Sequence, residues 1–138
     1  MVGGVTRDIL SLDDLAERFR ATYDDNNDRR QLIRTEIIPF NVEYLGTINA
    51  RALSTLGNHY HSTKEEMIYV AKGKVIVSLE DIKLGRKAIG ELVEGEGILI
   101  KPGIAHSIDV IEESVLIELC NKPLREVIDD VEPYIIKW

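Results

Sequence analysis

Apolar and polar residues alternate in short runs along most of this chain, and one early stretch departs from that rhythm. Leu12, Leu15, Ala16 and Phe19 recur at helical spacing behind Ser11, a residue suited to an N-cap. Asp13 and Asp14 fall in the first turn, where carboxylates favour the helix dipole. The pattern predicts an N-terminal helix over about 12–23, closed by the polar run Asp24-Asp25-Asn26-Asn27-Asp28. From Gln31 onward it predicts strands, at 32–38, 48–56, 67–71, 75–79, 91–93, 98–100, 107–111 and 115–120. These are short, rich in Ile and Val, and divided by Gly, Asp, Asn or Pro. Lys72-Gly73-Lys74 reads as a tight hairpin turn. Strands spaced in this way favour a sandwich or closed barrel over an alternating α/β fold. Pro123 opens a short C-terminal helix, with Leu124, Val127, Ile128 and Val131 at helical spacing, and Pro133 stops it. The tail from Tyr134 to Trp138 is apolar enough to be expected to dock, on the domain or on a partner subunit.

Composition narrows the class. With 138 residues the chain is expected to form one domain, 1–138, burying about two thirds of the surface of its unfolded state. Lys and Arg number 17 against 24 Asp and Glu, a formal charge of -7, which argues against a nucleic-acid partner. No apolar run approaches the roughly 18 residues of a membrane span. Residues 1–12 lack a basic stretch followed by an apolar one, so no signal peptide is expected and the cytoplasm is the simplest location. A single cysteine, Cys120, excludes an intramolecular disulfide and a CxxC zinc site.

The three histidines carry the chemistry. His59 and His61 form an HxH pair within Gly57-Asn58-His59-Tyr60-His61. On a helix, residues two apart diverge; on a strand they share a face, about 6.6 Å apart along the chain. Two imidazoles leaning together from that distance can both reach a metal at about 2.1 Å. Glu66 opens the next strand and offers a hard anionic ligand, with Glu65 as the competing carboxylate. His106 follows the turn Lys101-Pro102-Gly103-Ile104-Ala105 and opens a later strand. Singly, each histidine reads as a surface or satisfied core residue and Glu66 as a solvated acid; together they are suited to meeting inside a small barrel.

That set resembles the cupin superfamily. His59, His61, Glu66 and Gly73 match the first cupin motif, HxHx(3,4)Ex(6)G, and Gly95, Gly103 and His106 match the second, Gx(5)PxGxxHx(3)N. The motif core covers about 51–120. The leading Gly of the first motif is Leu53 here, the Pro of the second falls at Lys101 with Pro102 one place late, and its final Asn falls at Val110. The resemblance implies an all-β double-stranded β-helix (jelly-roll) barrel, commonly a homodimer, flanked by the two helices above. It implies one divalent transition metal on His59, His61, Glu66 and His106. Such a donor set suits Zn, Fe, Mn, Ni, Co or Cu.

The run Gly57 to Glu66 is locally similar to the cupin domain of capsular-polysaccharide sugar-nucleotide epimerase/reductase enzymes. It implies a metal-dependent isomerase or epimerase of a sugar or sugar nucleotide, acting through an enediol or enolate. A non-haem metal dioxygenase and a non-catalytic sugar-binding module with a structural metal remain alternatives. A wall of Ile and Val around the metal would favour the module, and a polar surround with an acid or base would favour catalysis. Glu118 is the candidate base, against an exposed edge carboxylate, and Lys101 the candidate catalytic contact to a substrate phosphate, against a solvated loop lysine. An unbroken strand from Arg51 to His61 would put Arg51 on the histidine face as a substrate-binding cation, although Gly57 is placed to break that register. Cys120 reads as a small core residue, since no histidine is spare to activate it.

Overall fold

A computed structural model of the chain describes residues 9–36 and 40–138. After the short helix α1 (Leu12–Leu15) come β1 (Glu17–Arg20), β2 (Thr22–Asn26), β3 (Gln31–Arg34), β4 (Tyr44–Ala50) and β5 (Thr55–Tyr60). Then follow β6 (Glu66–Asp81), β7 (Arg86–Val93), β8 (Glu96–Ile100), β9 (Ile104–Cys120), α2 (Leu124–Asp129) and β10 (Glu132–Pro133). The paired strands are antiparallel. The main sheet runs β1-β8-β6-β9-β5-β10, with β4 added to β9 and β7 to β6, while β2 and β3 pair separately. The two long strands β6 and β9 pair with each other from Glu66↔Cys120 to Asp81↔Ile104 and line one core. Alternation puts Ile68, Val70, Val75, Val77 and Leu79 of β6 inside, against Ile98, Ile100, Ile108, Val110 and Leu116. A smaller cluster, Phe19, Met67 and Leu99, packs apart from it. Among the described residues no helix is long and apolar enough to cross a membrane.

Five expectations need correction. The helix expected over 12–23 ends after Leu15, and the chain turns into β1, which pairs with β8. Edge pairing, with Phe19 packed over Gly97, outweighs the helical spacing of the apolar residues. The polar run 24–28 is the end of a hairpin, with β2 paired to β3. The strand expected over 32–38 is Gln31–Arg34 with 35–36 outside it; positions 37–39 lie outside the described residues.

Lys72-Gly73-Lys74 does not reverse the chain. Gly73 takes φ 102 inside the continuous strand β6, where the register against β9 shifts repeatedly. A Cβ there would sit 2.1 Å from Ser114 Oγ, so the glycine permits a sharp bend against β9 rather than a turn. The strand expected over 48–56 divides at Arg51, where Ser54 N–H donates to the Arg51 carbonyl at 3.3 Å and the chain restarts at Thr55.

Candidate active site

β5 delivers His59, and the chain just beyond it delivers His61. Gly57 and Asn58 both take left-handed backbone, φ 85 and 60, and produce a bulge against β9 that brings His59 opposite His106. The three rings cluster, with centroids 4.7 Å apart for His59–His61 and His59–His106 and 5.5 Å for His61–His106. One ring nitrogen from each lies within 4.8 Å of the others. His61 and His106 are buried, and His59 is half-buried. Burial and the neighbouring imidazoles push His59 down to about 4. Burial also lowers His61, against the opposing effect of its bond to the Asp130 carbonyl.

That bond fixes the His61 tautomer. A carbonyl only accepts, so His61 Nδ1 carries the proton and Nε2 keeps its lone pair. Nε2 is buried with no hydrogen-bond partner among the described residues. An orphaned lone pair beside two further imidazoles is suited to a cation, which needs neutral histidine ligands.

Glu66 is the carboxylate turned inward; Glu65 is less buried, with its backbone tied to Asn121. Glu66 Oε1 meets His106 Nε2 at 2.9 Å and Oε2 meets Lys64 Nζ at 2.8 Å. Burial alone would raise this carboxyl, but the His106 hydrogen bond and the Lys64 ammonium outweigh it and hold it well below the usual range. Lys64 is itself buried; burial disfavours its charge, and attraction to Glu66 raises its pKa above the ordinary value.

The polar set continues past Glu66. Glu118, on the inward face of β9, and Cys120 lie with Glu66 so that one ligand atom of each falls within 4.8 Å of the others. Tyr44 donates its hydroxyl to Glu118 and is pushed up to about 12, by that bond first and burial second. Gly46 makes room for the pair, since a Cβ there would stand 2.8 Å from Glu118 Oε1. Burial pushes the Cys120 thiol up to about 12, which leaves it a poor nucleophile.

Asp130 anchors the loop between β5 and β6. Its Oδ1 accepts from Ser62 N at 2.7 Å, and its Oδ2 from Thr63 N at 2.8 Å, Thr63 Oγ1 at 2.8 Å and Lys64 N at 3.0 Å. Burial would raise this carboxyl, but these donors hold it down to about 2.

His59, His61, His106 and Glu66 are thus brought together, and Glu118 stands beside Glu66. Lys101 is exposed on the turn before His106, a turn whose Gly103 N–H donates to the His61 carbonyl at 2.8 Å. Arg51 does not join the site. The break after β4 leaves it exposed in a groove with Lys72, Glu113 and Ser114, beside the middle of β9 where Ala50 pairs with Ser114, not at His106. Lys64, Tyr44 and Asp130 are additions that sequence reasoning missed. Lys64 carried a signal, standing two residues before Glu66; Asp130 carried none nearby.

Comparison with solved structures agrees with this architecture. A sugar 3,4-ketoisomerase from Thermoanaerobacterium thermosaccharolyticum, in complex with TDP, superposes with a TM-score of 0.71 at 21% identity, covering 86% of this chain and 87% of that one. This chain has the cupin fold. A dTDP-4-dehydrorhamnose 3,5-epimerase from Sulfolobus tokodaii matches at TM-score 0.71 and 20% identity, over 88% of this chain and 79% of that one. A dTDP-6-deoxy-D-glucose-3,5-epimerase from Legionella pneumophila gives 0.73 at 15% identity, over 91% and 75%. No protein-family model and no curated protein sequence matches the chain.

Proposed function

We propose that this cupin is a metal-dependent isomerase or epimerase of a sugar nucleotide. The observation that carries the reading is the convergence of three imidazoles, one with an orphaned buried lone pair, beside a carboxylate and a second acid. The reading is also supported by the sugar-nucleotide ketoisomerases and epimerases among proteins of the same fold. The polar surround favours catalysis over a purely structural site: Glu118, Tyr44 and Lys64 stand where a binding module would need only Ile and Val.

His59, His61 and His106 would hold the ion, with Glu66 as the carboxylate ligand. A divalent ion there supplies Lewis acidity, lowering the pKa of a carbon acid beside a sugar carbonyl. His106 Nε2 donates to Glu66 Oε1 at 2.9 Å; to ligate, it would give up that proton while Nδ1 donates to the Ile104 carbonyl, which it faces at 3.2 Å. Glu118 takes the proton from the carbon beside the carbonyl and returns it, to the same carbon in an epimerisation or, once a hydroxyl proton has passed between the two enediol oxygens, to the former carbonyl carbon in an isomerisation; the Tyr44 hydroxyl orients its carboxylate. Lys101, on the turn beside His106, binds the substrate phosphate.

The test uses untagged protein with TDP-4-keto-6-deoxyglucose in D2O. The wild type is expected to carry stoichiometric metal and to wash deuterium into the carbon next to the carbonyl. His61→Ala should lose the metal and the exchange. Glu118→Gln should keep the metal and lose about 10²–10⁴-fold in rate. Metal without exchange would replace the enzyme by a binding module, and no metal in the wild type would remove the metal-dependent reading.

A further inference from the structure

We propose that Asp130 is the positioning residue of the histidine site, holding His61 and the loop ahead of Glu66 in the geometry that receives the ion. The inference deepens the metal reading above and rests on it for its functional meaning.

Asp130 is itself fixed. Its N–H donates to the Glu126 and Val127 carbonyls at 3.1 and 3.2 Å, closing α2, and buried Val127 anchors that helix. From this post one residue makes five contacts with a segment more than sixty residues earlier in the chain. Its carbonyl takes the His61 Nδ1 proton. Its carboxylate gathers three consecutive backbone N–H groups, from Ser62, Thr63 and Lys64, together with the Thr63 hydroxyl. Three amides aimed at one point form an anion nest, filled here by a side chain of the same protein.

The nest sets two things at once. By holding the loop against Asp130, it keeps His61 Nδ1 on the Asp130 carbonyl, which determines the nitrogen that keeps a lone pair, and it fixes the backbone from which Lys64 and Glu66 project. The chain beyond Asp130 reinforces the hold: β10 pairs with β5 at His59 and Tyr60, and Tyr134 N–H donates to the Asn58 carbonyl at 2.8 Å. Both arms of the HxH pair are therefore braced by the C-terminal segment, with Asp130 the residue that reaches the ligand itself.

The experiment compares Asp130→Ala and Asp130→Asn with the wild type, and with Asp129→Ala as an exposed control on the same helix. The first measurement is ring ¹⁵N NMR of His61 in metal-free protein. Wild type and Asp129→Ala should show the Nδ1–H tautomer alone, and Asp130→Ala a mixture. The second is a Co²⁺ titration followed by ligand-field absorption, in which Asp130→Ala should weaken binding about 10–100-fold with an altered spectrum. Asp130→Asn keeps the volume and one acceptor oxygen; it should fall between the two, and it serves if the alanine variant does not fold. A single Nδ1–H tautomer in both folded variants, with Co²⁺ affinity within about twofold of wild type, overturns the role of Asp130. If wild-type protein binds no Co²⁺, the metal reading fails, and the NMR comparison alone decides whether Asp130 positions His61.

Discussion

Leu53 is the residue at which the motif and the backbone disagree. The cupin pattern places glycine there, and the chain takes a left-handed conformation, φ 67, that suits glycine and strains leucine. The other motif glycines, Gly73, Gly95 and Gly103, share the feature with φ 102, 85 and 82, so the pattern records a backbone need at positions scattered along the chain. Leu53 is 88% exposed, so its side chain contributes little packing, and its N–H bond to the Val110 carbonyl survives any replacement except proline. Leu53→Gly is therefore expected to stabilise the protein by about 0.5–1 kcal/mol: relief of the left-handed strain outweighs the added freedom of the unfolded chain. Urea denaturation checks it, and a midpoint below that of the wild type would count against strain at this site.

At the scale of elements, local pattern and long-range pairing divide what could be read. The strands of the barrel were legible because alternation is a local property; the joins between them were not. Expected strands at 107–111 and 115–120 are one strand, β9, and the bend at Gly73 passed for a turn because a flexible residue between lysines looks the same in either role. The N-terminal segment shows the same limit. Its apolar spacing fits a helix, but Arg18 and Arg20 reach Glu96 only from a strand laid on β8, at 3.0 and 2.6 Å. Glu96 is nearly buried and also accepts from Val93 N at 3.0 Å. Burial would raise its carboxyl, but the donors from Arg20, Val93 and Arg18 prevail and lower it below the ordinary 4.5. A carboxyl depressed in the folded state contributes stability above its unfolded pKa and loses that contribution as pH falls through the folded value. Glu96→Gln should thus cost about 1–2 kcal/mol at pH 7, and the gap to wild type should close progressively below about pH 4.5. Denaturation midpoints between pH 7 and 3.5 test this; a gap independent of pH would assign the loss to packing rather than charge.

Across the whole molecule, the histidine site is where distant parts of the chain meet. The meeting of His59, His61, Glu66 and His106 was legible because turn-and-strand spacing carries it, whereas Arg51 was misplaced by a turn the alternation does not reveal. Lys64 and Asp130 escaped for different reasons: one is a common surface residue type that burial turns into a counter-ion, the other acts across more than sixty residues. That convergence has a thermodynamic consequence. The ends of β5, β6 and β9 and the segment after α2 must all be in place for the three ring nitrogens to stand within 4.8 Å of one another. An ion held there binds the folded state and has no such site in the unfolded chain, so it stabilises the fold by mass action. At free metal near 100 times its dissociation constant the gain should be about 2.7 kcal/mol, read as a rise of several degrees in Tm. His61→Ala should show no rise, since one lost imidazole opens the site without removing a strand. Calorimetry of both proteins with and without metal decides it: equal shifts in the two would place the ion elsewhere, and a shift confined to the wild type would tie stability to this cluster.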